Sequence, residues 1–228
     1  MIFYYVTDRR QFQGTESRQR ARLLEKMAEA AKAGVDFIQL REKDLGGREL
    51  ELLAGEAMRR IRGHGGNTRL LVSSRVDVAL AAGADGVHLR ADDVAASEAR
   101  VIFSKAGAGE PVIGVSCHSL AEVRLAESHG AGLAVFGPVF EKSGAAGQGL
   151  AALREACGQV PARGIEAAMP AGQMPVLALG GVTAENAAAC LQAGAAGIAA
   201  IRLFQENEVA EVIEKIRAHH RDTAARRN

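Results

Sequence analysis

The chain has few cysteines, no surplus of charge and no long apolar run. Its three cysteines, Cys117, Cys157 and Cys190, form no C-x-x-C pair, which argues against a disulfide framework and against a zinc site. Because 28 Lys and Arg balance 27 Asp and Glu, neither nucleic acid nor an anionic membrane is indicated as the main partner. No run approaches the roughly 18 apolar residues that span a bilayer. Residues 1–8 have no basic segment and read as a strand, so we expect a cytoplasmic protein.

Short β-branched runs alternate with longer helical patterns along the 228 residues. Eight such runs correspond to about 28 residues for each strand and its following helix, which is typical of a (β/α)8 TIM barrel. The predicted strands are Phe3–Thr7, Phe37–Arg41, Leu70–Ser73, Gly86–Leu89, Val112–Ser116, Leu133–Phe136, Val176–Leu179 and Gly197–Ile201. The clearest helix has its apolar residues at 209, 212, 213 and 216, spaced i, i+3, i+4, i+7.

A repeated Gly-containing turn precedes every second strand and supports a closed barrel. Gly34, Gly83, Gly130 and Gly194 each stand where a helix ends, the position that favours a left-handed residue. An open doubly wound sheet predicts fewer strands and a Gly-rich fingerprint after the first one, and neither is present. With no linker or low-complexity segment in view, we predict one catalytic α/β domain over residues 1–220 and a frayed polar tail at 221–228.

The barrel fold directs attention to the C-terminal ends of the strands, where TIM-barrel active sites lie. After strand two, Gln39, Arg41 and Lys43 form a group that we call the strand-two cluster. Two cations and an amide suit a phosphate or diphosphate. The alternative interpretation is a solvated rim of ion pairs, for instance between Arg41 and Asp44, and spacing alone does not separate the two.

Two adjacent acids, Asp92 and Asp93, follow strand four. Such acids can hold Mg²⁺. They are also common helix N-caps, and Asp93 precedes a helical run, so spacing alone favours the cap. His88, within the strand, is interpreted as a hydrogen-bonded residue of the barrel interior rather than as a metal ligand.

After strand five, His118 stands just before a helix that Ser119 and Glu122 begin with a capping-box pattern. A helix N-terminus favours a neutral imidazole, which suits a proton shuttle, although a single His beside a cap is more often structural. Cys117 is interpreted as a packing residue, because nothing in the sequence identifies a partner that would activate it.

After strand seven, the run Gly180-Gly181-Val182-Thr183 is the most specific purely physical signal. Two glycines expose backbone N–H groups before a helix that Thr183 is predicted to cap, and TIM barrels often bind phosphate at the loops after strands seven and eight. The competing interpretation is a tight turn that needs positive φ.

Several sequence blocks, in the same order, resemble the thiamin phosphate synthase superfamily over nearly the whole chain. The blocks begin at Tyr5-Val6-Thr7-Asp8-Arg9 and continue with Gln39-Leu40-Arg41-Glu42-Lys43-Asp44, Arg75-Val76-Asp77-Val78-Ala79-Leu80, Gly83-Ala84-Asp85-Gly86-Val87-His88-Leu89, Gly114-Val115-Ser116, Phe136-Gly137-Pro138-Val139-Phe140 and Gly180-Gly181-Val182-Thr183. The combination is specific, whereas each block alone is weak.

The resemblance implies a role for each candidate residue. The synthase joins hydroxymethylpyrimidine diphosphate to a thiazole phosphate and releases diphosphate with the help of Mg²⁺. By resemblance, the strand-two cluster holds the pyrimidine diphosphate and Asp92 is a Mg²⁺ ligand. Ser116 lines the site, and Gly181 binds the thiazole phosphate through its backbone.

Three departures from the synthase pattern affect this expectation. Ser73 and Ser74 replace the Asn-Asp of synthases, in which the Asp is a Mg²⁺ ligand, so the metal is expected to bind more weakly. The Thr-x-Thr-Lys loop is absent, and the chain reads Glu141-Lys142-Ser143-Gly144 instead. Arg202 replaces the Ser that ends strand eight in the family. Lys142 and Arg202 are candidates to replace the lost phosphate contacts.

Three functions remain open at this point. The losses favour a thiazole tautomerase, which aromatises a thiazole phosphate by a proton shift, with His118 as acid and base and no cofactor. The alternative is a divergent synthase that keeps the strand-two cluster and uses Mg²⁺. The third is a non-catalytic carrier or sensor of thiazole or thiamin phosphate. In each case the partner is a small phosphorylated thiazole, neither nucleic acid nor membrane is expected, and a homodimer is left open.

Overall fold

Eight parallel strands close into one barrel in chain order, as the alternating sequence pattern predicts. The computed structural model describes residues 1–141, 144, 146–158 and 173–225. The strands are β1 Ile2–Val6, β2 Phe37–Leu40, β3 Arg69–Ser73, β4 Gly86–Leu89, β5 Val112–Cys117, β6 Leu133–Phe136, β7 Val176–Leu179 and β8 Gly197–Ala200. Each predicted strand is present, with its ends within one residue of the prediction. Short apolar runs bounded by turn residues leave little choice of where a strand can begin or end. The single-barrel prediction is therefore confirmed.

Helices follow the strands on the outside of the barrel. The described helices are α1 Glu16–Lys32, α2 Gly47–Arg62, α3 Val76–Ala81, α4 Ala96–Lys105, α5 Leu120–Ser128, α6 Gly149–Ala156, α7 Ala187–Gln192, α8 Arg202–Gln205 and α9 Val209–Ala225. A 3-10 helix, Arg9–Gln11, follows β1. None of the helices in the described ranges is both long and apolar enough to cross a membrane.

The C-terminal helix extends beyond the predicted domain boundary. We predicted a frayed tail from residue 221, but α9 continues to Ala225, and residues 226–228 lie outside the described part of the chain. Val209, Val212, Ile213 and Ile216 of α9 are all buried, as their spacing predicts. Burying such side chains contributes about 1.5–3 kcal/mol each, which fixes α9 against the barrel.

The repeated turn before the even-numbered strands has the predicted geometry. All four of its glycines have positive φ, between 63° and 104°. This left-handed conformation ends each helix and returns the chain to the sheet at little steric cost. The repeat therefore reports on backbone geometry rather than on ligand binding.

Apolar side chains fill the inside of the barrel as well as the space between strands and helices. A separate inner group of buried residues includes Tyr4, Leu71, Val135, Leu177 and Ala199. A filled interior leaves only the end of the barrel for a ligand, so the C-terminal edge of the strands is the place to build the site.

Candidate active site at the barrel mouth

The segment after β2 is held by hydrogen bonds to the segment after β1. The Thr7 hydroxyl donates to the Glu42 carboxylate (2.6 Å) and accepts from the Arg41 backbone N–H (2.9 Å). The Arg9 backbone N–H also donates to Glu42 (3.1 Å). The backbone of the strand-two cluster is therefore fixed by side chains that follow the neighbouring strand.

The Arg9 guanidinium donates hydrogen bonds to the carboxylates next to the strand-two cluster. This side chain, only 3% exposed, donates to Asp44 at 2.7 and 2.8 Å and to Glu42 at 3.0 Å. A further bond of 2.7 Å joins it to Glu16. The Arg41–Asp44 pair that we gave as an example of a rim of ion pairs is not formed. Asp44 is instead bound by Arg9, which follows the neighbouring strand β1. Arg41 and Lys43 make no ion pair with any described residue.

Burial and hydrogen bonding act in opposite directions on Glu42. Its side chain is 1% exposed, and this burial raises the pKa of its carboxyl. The hydrogen bonds from Thr7 and Arg9 and the Arg9 charge pull that pKa back down. The Arg9 pKa is raised, above all by its hydrogen bond to Asp44. Because removal from water outweighs the stabilising contacts of Glu42, its ionised form depends on Arg9.

Gln39 and Ser73 meet inside the barrel mouth. The side-chain amide of Gln39, a buried residue, donates to the Ser73 hydroxyl at 3.0 Å. One of the two N–H groups of this amide is thereby used within the protein. Gln39 is consequently deeper than Arg41 and Lys43, which are half-buried and exposed, respectively.

Asp93, not Asp92, lies beside Ser74. The Ser74 hydroxyl donates to the Asp93 carboxylate at 2.6 Å, and the Arg90 backbone N–H donates to the same oxygen at 2.7 Å. Asp92 has 74% of its side chain exposed and reaches only Arg90, at 3.3 Å. The assignment of Asp92 as a metal ligand therefore does not fit the geometry, because the acid that contacts Ser74, at the replaced family position, is Asp93.

The expected cap at Asp93 is also wrong. Helix α4 begins only at Ala96, and the Asp93 carboxylate turns inward to Ser74 and Arg90 instead of to the helix N-terminus. Ser74 itself has φ of +58°, a left-handed conformation that is uncommon for residues other than glycine. The Ser74–Asp93 contact is thus made by a loop with a special backbone geometry.

His88 is a hydrogen-bonded residue of the barrel interior, as predicted. One ring nitrogen contacts the Tyr4 hydroxyl (2.6 Å) and the other contacts the Ser116 hydroxyl (2.8 Å). Cys117 is buried, and burial raises the pKa of its thiol to about 12, in agreement with a packing role.

His118 stands at the mouth with a defined orientation. Its Nδ1 donates to the Gly137 carbonyl at 2.6 Å, since a carbonyl oxygen can only accept. In the neutral ring, Nε2 is then the basic nitrogen, and it bonds to no described residue. The predicted capping box is half formed: Ser119 accepts from the Glu122 N–H, but the Glu122 carboxylate takes the His118 N–H (2.6 Å).

The two glycines after β7 lie against the loop after β6. Gly180 and Gly181 have φ of +95° and +64°, and a Cβ on Gly181 would lie 2.7 Å from the Phe140 Cβ. The positive φ of both glycines agrees with the interpretation of this segment as a tight turn. Thr183 is not the helix cap that we predicted, because α7 begins at Ala187 after a turn in which Thr183 and Asn186 exchange hydrogen bonds.

A cleft of about 510 Å³ opens beside these glycines and continues between the ends of β7 and β8 and helix α9. Gly181 and Arg202 both line it, and Arg202, the first residue of α8, is exposed and makes no ion pair with a described residue. The cleft does not reach Arg41 or His118, which line the barrel mouth itself. Lys142, the other candidate phosphate contact, lies outside the described residues.

Thr7 and Arg9 were not among the predicted site residues, and Asp93 was predicted as a helix cap in preference to a ligand. All three follow strands at the same C-terminal edge, so the edge rule identifies the segments that carry them. No local spacing predicts their partners, because Arg9 and Asp44 are separated by a complete strand–helix unit and meet only in the closed barrel.

Comparison with known proteins gives one consistent result. A family model described as thiamine monophosphate synthase matches residues 3–204. A thiamine-phosphate synthase of Methanoculleus marisnigri is 40% identical over 202 residues, covering 87% of this chain and 84% of that protein. One of Chlorobium luteolum is 37% identical over 188 residues, covering 82% of each. Among solved structures, the thiamine phosphate pyrophosphorylase from Pyrococcus furiosus matches with a TM-score of 0.75 and 30% identity, covering 97% of this chain and 96% of that one.

Proposed function

The chain belongs to the thiamine monophosphate synthase family, and we propose that it is a synthase-type transferase that acts on two phosphorylated substrates. In the reaction, the bond between hydroxymethylpyrimidine and its diphosphate breaks, the pyrimidine is joined to a thiazole phosphate, and diphosphate leaves. This choice reverses the preference that the sequence departures alone suggested, because the relatives are named as synthases.

The observation that supports the proposal is that two separate regions at the C-terminal edge of the barrel carry cationic side chains without an ion pair to a described residue. The first is formed by Arg41 and Lys43, whose neighbouring carboxylates are bound by Arg9. The second comprises the backbone of Gly181 and the exposed Arg202. Two such regions suit two anionic substrates that meet, whereas a proton shift within one thiazole phosphate needs only one.

The residues around Ser74 fit a Mg²⁺ ion only if the substrate supplies most of its ligands. Asp93, with 14% of its side chain exposed, offers one carboxylate, and Ser74 offers a hydroxyl 2.6 Å from it. The described residues contain no group of three or more His, Cys, Asp or Glu side chains suited to a metal. Mg²⁺ is often held by one or two carboxylates together with phosphate oxygens and water, so Asp93 and Ser74 are the proposed protein ligands in place of Asp92.

In the proposed reaction, each group of residues has a separate role. When bound, Mg²⁺ would neutralise charge on the departing diphosphate. Arg41 and Lys43 bind that same diphosphate and stabilise the charge that develops as its bond breaks. Gln39, held by Ser73, and the Ser116 hydroxyl orient the pyrimidine, and Gly181 with Arg202 holds the thiazole phosphate in reach. Much of the rate gain is then expected from positioning.

Steady-state turnover with both substrates and Mg²⁺ tests the proposal. We expect thiamin phosphate and diphosphate in equal amounts. Arg41→Met should raise the KM for the pyrimidine diphosphate roughly ten- to a hundredfold, the loss of a charge-assisted hydrogen bond, while the KM for thiazole phosphate stays unchanged. Arg202→Met should show the reverse pattern.

Arg59→Met is the matched control, because Arg59 is exposed in the last turn of α2, far from the mouth. It should leave both KM values unchanged. Absence of diphosphate release from the wild-type protein, with both substrates and Mg²⁺ present, would overturn the synthase proposal.

A thiazole tautomerase is the second candidate, and the orientation of His118 favours it. The hydrogen bond from Nδ1 to Gly137 directs the proton-accepting Nε2 away from the protein backbone, as a general base requires. If the wild-type protein converts the non-aromatic thiazole phosphate into the aromatic isomer, His118→Gln should lower that rate by about 10²–10⁴-fold. A protein that binds thiazole phosphate but performs neither reaction would be the carrier or sensor of the third hypothesis.

A further inference from the structure

A chain of three hydrogen-bonded side chains crosses the inside of the barrel. The Tyr4 hydroxyl on β1 contacts His88 Nδ1 on β4 at 2.6 Å, and His88 Nε2 contacts the Ser116 hydroxyl on β5 at 2.8 Å. Tyr4 and His88 are buried, whereas Ser116 is half-buried, one residue before the C-terminal end of its strand. The chain therefore begins in the closed interior and ends at the barrel mouth.

The imidazole ring of His88 is fixed in place. A Cβ at residue 114, on the neighbouring strand, would lie 2.8 Å from His88 Nδ1, so Gly114 leaves the space that the ring occupies. The Tyr4 ring packs edge-on against it, with 5.6 Å between ring centroids. Burial, together with the nearby Arg41 charge, lowers the pKa of His88 to about 3. The ring is thus neutral near pH 7 and carries a single N–H.

The Tyr4 hydroxyl decides which nitrogen carries that proton. Within the described residues, its only hydrogen-bond partner is His88 Nδ1. If Nδ1 carried the proton, the Tyr4 O–H would be a buried donor without an acceptor, at a cost of about 1–3 kcal/mol. The favoured arrangement has Tyr4 donating to Nδ1, and His88 Nε2–H donating to the Ser116 oxygen.

We propose that Tyr4 and His88 are positioning residues that keep the proton of the Ser116 hydroxyl available for donation to the ligand at the mouth. Because Ser116 already accepts from His88, its own proton is free to point out of the barrel. This proton can be donated to an unprotonated acceptor, such as a pyrimidine ring nitrogen. The identity of this ligand rests on the proposed function, whereas the direction of the hydrogen bonds does not.

Long-range ¹H–¹⁵N correlation spectra of the ¹⁵N-labelled wild-type protein test the direction first. Such spectra distinguish a protonated from an unprotonated imidazole nitrogen, and the His88 signals are those that His88→Gln removes. We expect Nε2 protonated and Nδ1 unprotonated at pH 7. A protonated Nδ1 would overturn the proposal, whether or not the protein proves to be a synthase.

Turnover of the two substrates then tests the consequence at Ser116. Ser116→Ala should lower kcat/KM for the pyrimidine diphosphate roughly tenfold, Ser116→Thr should retain most of it, and Tyr4→Phe should lower it about fivefold. The double variant Tyr4→Phe/Ser116→Ala should match Ser116→Ala alone, because the tyrosine acts only through the serine. Losses that multiply in the double variant would contradict the relay.

Tyr5→Phe is the matched control. Tyr5 is the next residue on β1, equally buried, and its hydroxyl donates to Gln205 at 2.9 Å on the outside of the barrel. Loss of that hydroxyl should affect stability but leave the His88 spectrum and kcat/KM within about twofold of wild type. An equal loss of kcat/KM in Tyr5→Phe would assign the Tyr4 effect to stability alone and overturn the relay.

Discussion

The Ser74 hydroxyl donates a 2.6 Å hydrogen bond to the carboxylate of Asp93. The contact joins the loops after β3 and β4, and it places one carboxylate beside a hydroxyl that stands where the synthase pattern has an Asp. It is the structural basis for expecting a weak, substrate-assisted cation site in this protein rather than a preformed one.

Asp93 and Asp92 should differ in their effect on metal dependence. Asp93→Asn removes the carboxylate that remains beside Ser74, so we expect the Mg²⁺ concentration for half-maximal turnover to rise about tenfold or more. Asp92→Asn, which changes an acid that is 74% exposed, should leave it within about twofold. Mg²⁺ titrations of turnover measure both, and an equal response from the two variants would refute the assignment of Asp93.

Ser74→Asp should strengthen the cation site. It restores a second carboxylate beside Asp93, in a left-handed backbone conformation that aspartate adopts more readily than most residues. We expect half-maximal turnover at a Mg²⁺ concentration about tenfold lower than in wild type. Ser104→Asp adds the same charge at an exposed position of α4 and serves as the control. A Mg²⁺ requirement that is unchanged in Ser74→Asp would count against a metal at this position.

Removing Arg9 should leave a buried, unpaired Glu42. Breaking such a pair typically costs about 3–5 kcal/mol, so we expect a loss of this size in the unfolding free energy of Arg9→Met at pH 7. Arg9→Met/Glu42→Gln should recover part of it, because the orphaned charge is gone. Denaturant unfolding measures the differences, with Arg60→Met, which breaks only a solvent-exposed pair with Glu56, as the control.

The loss of unfolding free energy in Arg9→Met should be larger at neutral than at acidic pH. Burial already raises the Glu42 pKa, and without Arg9 this pKa rises further, so the folded state binds more protons than the unfolded chain. The unfolding free energy then falls as the pH rises from about 4, near the unfolded pKa of a glutamate, through the folded pKa. The deficit relative to wild type should be smaller at pH 4.5 than at pH 7. A deficit that grows toward low pH would contradict this account.

Gly181→Ala and Gly83→Ala should separate the effect of backbone strain from that of crowding in the loop after β7. Both glycines have nearly the same φ, +64° and +63°, so backbone strain alone should cost each variant roughly 1–2 kcal/mol of stability, and crowding should add to the loss in Gly181→Ala. A Cβ at residue 83 meets nothing within 4 Å, whereas one at residue 181 meets Phe140 and Glu141. Only Gly181→Ala should also weaken the binding of inorganic phosphate, which calorimetry measures. Equal phosphate affinity in the two variants would remove Gly181 from the phosphate site.

The alternation of apolar runs and amphipathic segments was enough to predict the barrel. Each strand boundary follows from a short β-branched run, and α9 follows from its apolar spacing, because both signals are local. Helix starts were less predictable. Asp93 and Thr183 are good capping residues by type, yet each is used in a loop contact, with Ser74 and Asn186 respectively. A polar side chain near a helix has several competing partners, and sequence does not rank them.

The sequence by itself determined the fold and the edge of the barrel on which the candidate site lies, since both depend on local periodicity and on the direction of parallel strands. Only the tertiary structure decided which charges are free and which are paired. Arg9 reaches Asp44 rather than leaving it to Arg41, and Asp93 rather than Asp92 faces Ser74. These choices depend on side chains from different strand–helix units that meet within about 3 Å, the range in which hydrogen bonds form and which sequence distance does not encode.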